Sequence, residues 1–333
     1  MKKRFNSLLL IALLIALLSS CATQIPIRLL QSAQYDMSEY RHIAFSSVDP
    51  YPSFPLERDV HLVEDLSHSY SSLIYPGHQT FLERLVSDYA TKVIENELHS
   101  SHYFKSITFS HHLKTRDEIA TLYYQGIDAL LDVSVSRMDV QEYVFAKQSV
   151  ESENPSYVLR QKVMISLNYN VIDTKTGIRV YGGRLSDQLQ KETPLSSEED
   201  HIIFAPVVLP LFEQMIDSLS EKMIASLVPT LHTTHISLMG NKPKNTDVEE
   251  AYKVAKKGLY TTAYTLFVQE WNQSKHLPSG YNAAILLESM GNREDGIALM
   301  SEISRTYTNA QVERQLKRMR NYHMEQERAE KQL

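Results

Sequence analysis

Histidine is the residue type in this sequence that most readily suggests chemistry. The chain has 333 residues and 13 histidines, and His99, His102, His111 and His112 occupy one short stretch. Four imidazoles that converge in a tetrahedron can bind zinc. However, adjacent histidines on an extended segment point to opposite faces, and no acidic residue recurs at ligand spacing. The sequence therefore favours surface histidines over a metal site.

The short motifs of common catalytic sites are absent. The sequence has no G-x-S-x-G, no P-loop, no G-x-G-x-x-G and no H-E-x-x-H. We therefore expect no catalytic residue, no bound metal and no cofactor. An enzyme that uses dispersed residues is an alternative, because spacing alone does not reveal such a site.

The single cysteine, Cys21, follows a segment with the three parts of an export signal. Lys2, Lys3 and Arg4 form a positive head, and residues 8–18 read LLLIALLIALL. Eleven apolar residues are too few to span a bilayer about 30 Å thick. The small residues Ser19 and Ser20 precede the cysteine.

The segment Leu18-Ser19-Ser20-Cys21 resembles the bacterial lipobox. This resemblance implies cleavage between Ser20 and Cys21 and acylation of Cys21, which would exclude that thiol as a nucleophile. The alternative is an ordinary signal peptide or anchor helix with a chance cysteine. Ala22 stands where an aspartate would favour the inner membrane in lipoproteins of the enteric type. We therefore expect a lipid-anchored protein of the bacterial cell envelope, in the outer membrane and facing the periplasm.

Charge and length restrict the remaining functions. The net charge is −6 and becomes about −9 when the three cations of residues 1–20 are removed. An acidic chain argues against a nucleic-acid partner. The mature length indicates two domains, and the expected division is a signal peptide over 1–20, a tether over 21–37, an α+β domain over 38–238 and a helical domain over 239–333.

The 38–238 segment has the patterns of an α+β fold. Apolar residues at helical spacing predict two long helices, over 81–98 and 211–227. Alternation over 163–171, the turn at 173–177 and a returning strand predict a hairpin, and residues 127–145 predict another long strand. The mostly antiparallel sheet should be packed by the two helices. Residues 48–79 are expected to form a long loop, either a contact surface or an ordered segment that packs down.

The order of these elements, with YNVIDTKTG in the hairpin, resembles the periplasmic domains of the curli-secretion lipoprotein and the penicillin-binding-protein activator lipoproteins. The resemblance covers residues 38–228 and implies only the fold.

The last third of the chain contains two similar segments, at 251–267 and 284–300. Each segment has a small residue, then a glycine at a turn and then a second helix. This pattern resembles the tetratricopeptide repeat, in which small residues let paired helices approach closely. The repeat-packing positions are Ala251, Gly258, Ala263, Ala284, Gly291 and Gly296, although the repeat expects alanine where Gly296 stands.

Two repeats cannot normally bury their faces alone. Either the charged helix over 308–332 caps them, with Val312, Leu316 and Met319 inward, or they dock on the first domain. An ordinary helical bundle is the alternative to true repeats. If the repeats are true, their concave side predicts a groove for a protein or peptide.

We therefore expect a non-catalytic envelope protein that acts as an adaptor or scaffold. It would bind the membrane through its lipid and protein partners through the helical tail. A subunit of a curli-type secretion or envelope-assembly complex is the second hypothesis, and an enzyme with an unrecognised site is the third.

Overall fold

The structure is a computed structural model that describes residues 23–51, 70–71, 79–110, 115–147, 156–196 and 208–333. The chain divides into two compact units. The α/β unit comprises residues 33–228, and the helical unit combines residues 23–32 with residues 229–333.

The described part of the α/β unit contains a six-stranded sheet. Its strands are β2 (His42–Ser46), β3 (Tyr70–Ser71), β4 (Ser106–Ser110), β5 (Ala129–Lys147), β6 (Ser156–Asp173) and β7 (Ile178–Leu195). The order is β4-β2-β5-β6-β7, with β3 paired to β5 outside that path. β2 is parallel to β4 and β5, whereas β6 is antiparallel to both of its neighbours, β5 and β7.

Two long helices cover one face of this sheet, α1 (Gln79–Ser100) and α3 (Leu209–Leu227). Their apolar stripes, which include Val86, Ile94, Phe212 and Leu219, are buried against inward-facing residues of β5 and β6. A shorter helix, α2 (Arg116–Tyr124), begins at a capping box in which Thr115 and Glu118 exchange hydrogen bonds. Its buried residues belong to a small cluster on the other face.

The predicted α+β class is confirmed, with an antiparallel-rich sheet and a helical C-terminal region. Of the predicted loop over 48–79, the structure describes residues 48–51, 70–71 and 79. Tyr70 and Ser71 pair with β5, and Gln79 already belongs to α1. The remainder of that loop lies outside the described residues.

The helical unit contains five helices after residue 248: α4 (Glu249–Lys256), α5 (Tyr260–Ser274), α6 (Leu277–Ser289), α7 (Arg293–Thr306) and α8 (Ala310–Gln332). The helices α4 and α5 form one antiparallel pair, and α6 and α7 form another. Val312, Leu316 and Met319 of α8 are buried in the same apolar cluster as the pairs. Of the two arrangements that the sequence left open, the structure shows this last helix packed on the helical unit.

A two-stranded ribbon completes the helical unit. β1 (Gln24–Gln31) pairs antiparallel with β8 (Thr230–Ser237). The sequence analysis placed residues 21–37 in a tether and ended the α+β domain at 238, and the structure differs at both points. Ile25, Ile27 and Leu29 alternate along β1 and are buried in the helical cluster, because period-two alternation puts all three on one face.

A buried ion pair connects α8 to α6. The Arg318 guanidinium donates through Nη2 to Oε2 of Glu288, whose side chain is 1% exposed. Burial raises the pKa of the Glu288 carboxyl, although the charges of Arg318 and Arg293 act in the opposite direction. Oε1 of Glu288 has no hydrogen-bond partner among the described residues. The pair therefore fixes the position of α8 at the cost of a desolvated carboxylate.

No helix in the described ranges is both long enough and apolar enough to cross a membrane.

Shortening a buried side chain of β1 should destabilise the helical unit. Ile27 is fully buried, so we expect Ile27→Ala to lower the free energy of unfolding by about 2–5 kcal/mol. Urea unfolding followed by tryptophan fluorescence measures this unit directly, since Trp271 is the only tryptophan and is buried there. The control is Arg28→Ala, whose side chain is exposed on the same strand and which should change stability by less than about 0.5 kcal/mol. Equal losses for the two variants would contradict this packing.

Removal of the Arg318 charge should produce a pH-dependent loss of stability. The folded pKa of Glu288 is raised above its ordinary 4.5, so stability from this group is present below that value and is lost as the pH rises through the folded pKa. Arg318→Met leaves a buried unpaired carboxylate, and we expect a loss of about 3–5 kcal/mol at pH 7.

The same urea titration at pH 4 and pH 7 checks this prediction. The difference between wild type and Arg318→Met should be smaller at pH 4, where Glu288 is protonated more readily. Adding Glu288→Gln removes the titrating group, so the double variant should lose this pH dependence. A penalty for Arg318→Met that is the same at both pH values would count against the explanation.

Candidate functional site: a groove beside the last helix

Helix α6 decides which faces of the helical unit are available to a partner. Every residue from Pro278 to Glu288 is buried. α5 and α7 flank the helix, and β1 contacts it as well. The sequence predicts a partner groove on the concave side of the repeats, but at α6 the chain's own structure leaves no open face. A partner of the helical unit must therefore bind elsewhere on it.

An open groove lies between the α6–α7 turn and the second half of α8. Its volume is about 380 Å³. The turn and the start of α7 contribute five consecutive residues and α8 contributes four that share one face: Gly291, Asn292, Arg293, Glu294, Asp295, His323, Gln326, Glu327 and Glu330. The four α8 residues follow the spacing i, i+3, i+4 and i+7, which places them in one stripe along the helix.

The turn that forms one wall has a specific backbone geometry. Gly291 has a φ of +89°, a value that residues with a side chain seldom adopt. The Gly291 amide donates to the Glu288 carbonyl, and the Asn292 amide donates to the Leu287 carbonyl. α7 then begins at Arg293 and directs its first residues into the groove.

The same geometry occurs 33 residues earlier. Gly258 has a φ of +79°, its amide donates to Ala255, and the Leu259 amide donates to Val254. Ala263 and Gly296 occupy equivalent positions, because their amides donate to Leu259 and Asn292 respectively. The two helix pairs therefore share a backbone pattern in addition to sequence similarity.

Of the six small residues predicted for repeat packing, Ala251, Ala263, Ala284 and Gly296 are buried, whereas Gly258 and Gly291 are exposed in the turns. Ala251, Ala263 and Ala284 are fully buried. A Cβ built on Gly296 would lie 3.0 Å from the Ala284 carbonyl oxygen and 3.0 Å from the Met319 methyl, which is tighter than ordinary contact. Glycine, where the repeat expects alanine, thus lets α7 approach both α6 and α8.

Carboxylates outnumber cations in the groove. Glu294, Asp295, Glu327 and Glu330 face only Arg293 and His323 among its lining residues. The His323 Nε2 lies 3.4 Å from Glu327 Oε1. The groove therefore has a negative potential, which favours a cationic partner group.

Two buried atoms at the groove have no hydrogen-bond partner in the described part of the chain, namely Arg293 Nε and Gln326 Oε1. Other atoms of the same side chains are paired, since Arg293 Nη2 donates to the Arg28 carbonyl over 2.6 Å and Gln326 Nε2 donates to Glu330 over 2.6 Å. A buried unpaired donor or acceptor costs about 1–3 kcal/mol. A bound polar group could satisfy both atoms.

A second polar cluster lies on the sheet of the α/β unit. Asp132 accepts hydrogen bonds from Ser46 at 3.5 Å and from Asn170 at 3.4 Å, and the Ser166 and Ser186 hydroxyls lie 2.7 Å apart. Ser46 and Ser166 are buried, so these hydrogen bonds provide partners for polar groups that the sheet has removed from water.

The remaining candidate residues are not brought together. His99 lies at the end of α1 and His102 follows it with a φ of +52°, whereas His111 and His112 lie outside the described residues. In the described ranges, no three His, Cys, Asp or Glu side chains are grouped to hold a metal ion. Ser20 and Cys21 also lie outside the described residues.

Sequence reasoning missed both β1 and the groove. The alternation of Ile25, Ile27 and Leu29 was available in the sequence, and it indicates a strand with one buried face. The stripe from His323 to Glu330 was also visible as helical spacing, but nothing in it specifies that the α6–α7 turn lies opposite.

No family model matches this chain, and no curated protein matches it either. Several solved structures are similar over part of the chain. The PelC dodecamer of Paraburkholderia phytofirmans is 10% identical with a TM-score of 0.29, over 61% of this chain and 96% of that one. A neuraminyllactose-binding hemagglutinin homologue of Helicobacter pylori is 10% identical with a TM-score of 0.31, over 59% and 86%.

A minor lipoprotein of Acinetobacter baumannii is 6% identical with a TM-score of 0.23, over 56% of this chain and 94% of that one. All three TM-scores lie below 0.5, so we draw no functional conclusion from these similarities.

Proposed function

We propose that this protein is a non-catalytic adaptor of the bacterial cell envelope, anchored by lipid at Cys21. Its helical unit binds a protein partner through the groove between the α6–α7 turn and α8. The groove is the observation that supports the adaptor role. It is an open concave surface on the helical unit, whereas helix α6 of the same unit is buried and offers no surface to a partner.

The anchor is supported by the N-terminal sequence. A positive head, an apolar run and the Ser20-Cys21 junction resemble a lipobox in their order. Each buried methylene of an acyl chain contributes about 0.8 kcal/mol, and two or more chains give lasting attachment. Ala22 in place of aspartate supports the outer membrane, with the protein facing the periplasm.

The helical unit is proposed to be tetratricopeptide-like. The shared hydrogen bonds at 33-residue spacing support this, as do the buried small residues Ala251, Ala263 and Ala284. In this chain β1 covers part of the surface on which such repeats commonly bind peptides, so the binding surface is displaced to the groove.

The partner should present basic side chains. The four groove carboxylates favour lysine or arginine, and each such pair contributes about 0.2–1 kcal/mol because these carboxylates are exposed. Because the groove is open to solvent, binding should weaken at high salt.

Substitution of the lipidated residue tests the anchor. Cys21→Ser removes the thiol that accepts the lipid, so we expect the protein to lose its acyl chains and its cleavage before residue 21. Mass spectrometry of the N-terminal peptide checks both results. Ser20→Ala is the matched control, since it keeps a small residue at the cleavage position and should be processed normally. A wild-type N-terminus without acyl groups would refute the proposed anchor.

Treatment of intact envelopes with a carbodiimide tests whether the groove binds a partner, because this reagent joins carboxylates directly to amines. We expect crosslinks between groove carboxylates and lysines of a periplasmic partner, located by mass spectrometry of the linked peptides. Glu294→Gln with Glu327→Gln should reduce partner binding roughly tenfold, because two charged contacts are lost.

The control for this experiment is Glu250→Gln with Glu313→Gln, which removes the same charge at positions that do not line the groove. This pair should leave the yield of crosslinked partner unchanged. If both double variants lower the yield equally, or if every crosslink maps to the α/β unit, the groove is not the binding site.

A further inference from the structure

The fold determines where the proposed anchor emerges from the helical unit. β1 begins at Gln24, which pairs with Ser237, and the Leu238 amide donates to the Thr23 carbonyl over 2.9 Å. Thr23 is two residues after Cys21 in the sequence. Since an extended chain spans at most about 3.6 Å per residue, an acylated Cys21 lies within about 7 Å of Thr23.

Residues 239–245 form a loop directly beside this point, and the loop is held by hydrogen bonds. The Met239 amide donates to Asn282 Oδ1 over 2.7 Å, and Asn282 Nδ2 donates back to the Met239 carbonyl over 3.0 Å. Asn241 and Asn245 exchange two hydrogen bonds, and Asn245 Nδ2 donates to Glu270 over 2.8 Å. The loop is therefore fixed to the helices rather than free to move away from the anchor.

Two exposed lysines lie in this loop, Lys242 and Lys244. Lys244 pairs with Glu249 at 3.3 Å, but its side chain is 74% exposed, so the pair contributes little. Lys242 has no ion-pair partner among the described residues. A lysine near an anionic lipid surface contributes about 1 kcal/mol of attraction.

We propose that the loop 239–245 faces the lipid headgroups, with Lys242 and Lys244 at the headgroup phosphates. The inference rests on the proposed acylation of Cys21 and adds the orientation of the helical unit relative to the bilayer. A long tether would let the helical unit take any orientation, but here only Ala22 lies between the anchor and Thr23. The surface around Thr23 must consequently remain at the bilayer.

The opposite end of β1 provides an internal comparison. β1 has eight residues, so its far end is about 25 Å from Thr23. There the Ser32 hydroxyl donates to Glu325 of α8 over 2.7 Å. Met324, its neighbour on α8, is 58% exposed. With loop 239–245 at the headgroups, a probe at Met324 should therefore lie farther from the membrane than a probe at Gly240.

Fluorescence quenching by headgroup-attached nitroxide lipid tests the orientation. Gly240→Cys and Met324→Cys are prepared as full-length lipidated proteins, each with one dye on the introduced thiol, because the only native cysteine is acylated. A side chain at Gly240 meets no atom within 4 Å, so this substitution should be tolerated. In vesicles of phosphatidylethanolamine and phosphatidylglycerol, we expect quenching at position 240 to be several-fold stronger than at position 324.

The lysines are tested in the Gly240→Cys protein. Lys242→Gln with Lys244→Gln should reduce quenching in these anionic vesicles, whereas Lys256→Gln with Lys257→Gln, exposed lysines outside the loop, should not. Equal reduction by both pairs would overturn the phosphate contact.

Mass spectrometry of the same preparations separates the two proposals. Acylated protein with equal quenching at positions 240 and 324, or with stronger quenching at 324, would overturn the orientation while leaving the anchor intact. Protein without acyl groups would overturn both.

Discussion

The helical unit depends on the burial of three side chains from the N-terminal strand. Ile25, Ile27 and Leu29 lie in the same apolar cluster as the helices, and each contributes about 1.5–3 kcal/mol when fully buried. Two helix pairs alone would leave apolar faces in water, so β1 and α8 complete the core. As a result residues 23–32 and 229–333 form one unit, and the α/β unit is an insertion between the two strands of the ribbon.

The strand that completes this core also links the two proposed functional surfaces. Its first residue follows Thr23, next to the proposed anchor, and the Arg28 carbonyl accepts a hydrogen bond from Arg293 at the edge of the groove. Five residues of extended strand, about 17 Å, separate these points. The proposed binding groove would therefore lie at a fixed distance from the anchor, determined by a paired strand instead of a flexible linker.

Elements with strong periodicity could be predicted from the sequence, and those that depend on distant partners could not. The helix over Gln79–Ser100 and the hairpin that turns at Asp173 have long, regular patterns, so their type was clear. β1 is short, contains Pro26 and follows a signal-like segment, and its partner β8 is remote in sequence. For these reasons, its alternation alone did not predict a strand. The groove could not be predicted for a related reason. It forms only in the folded unit, where buried residues of α8 and the Glu288–Arg318 pair bring that helix beside a turn about thirty residues earlier in the chain.

The pairing of β1 with β8 has a consequence for the order of folding. Gln31 and Thr230 are adjacent in the ribbon but about 200 residues apart in the chain, and such non-local contacts form slowly. If the chain crosses the inner membrane from its N-terminus, β1 emerges first and β8 follows only after the whole insertion. The α/β unit has all its own strands by then and can fold in the interval. Meanwhile the apolar side chains of β1 lack their final partners, so in that case this strand stays exposed to water until the last third of the chain has arrived.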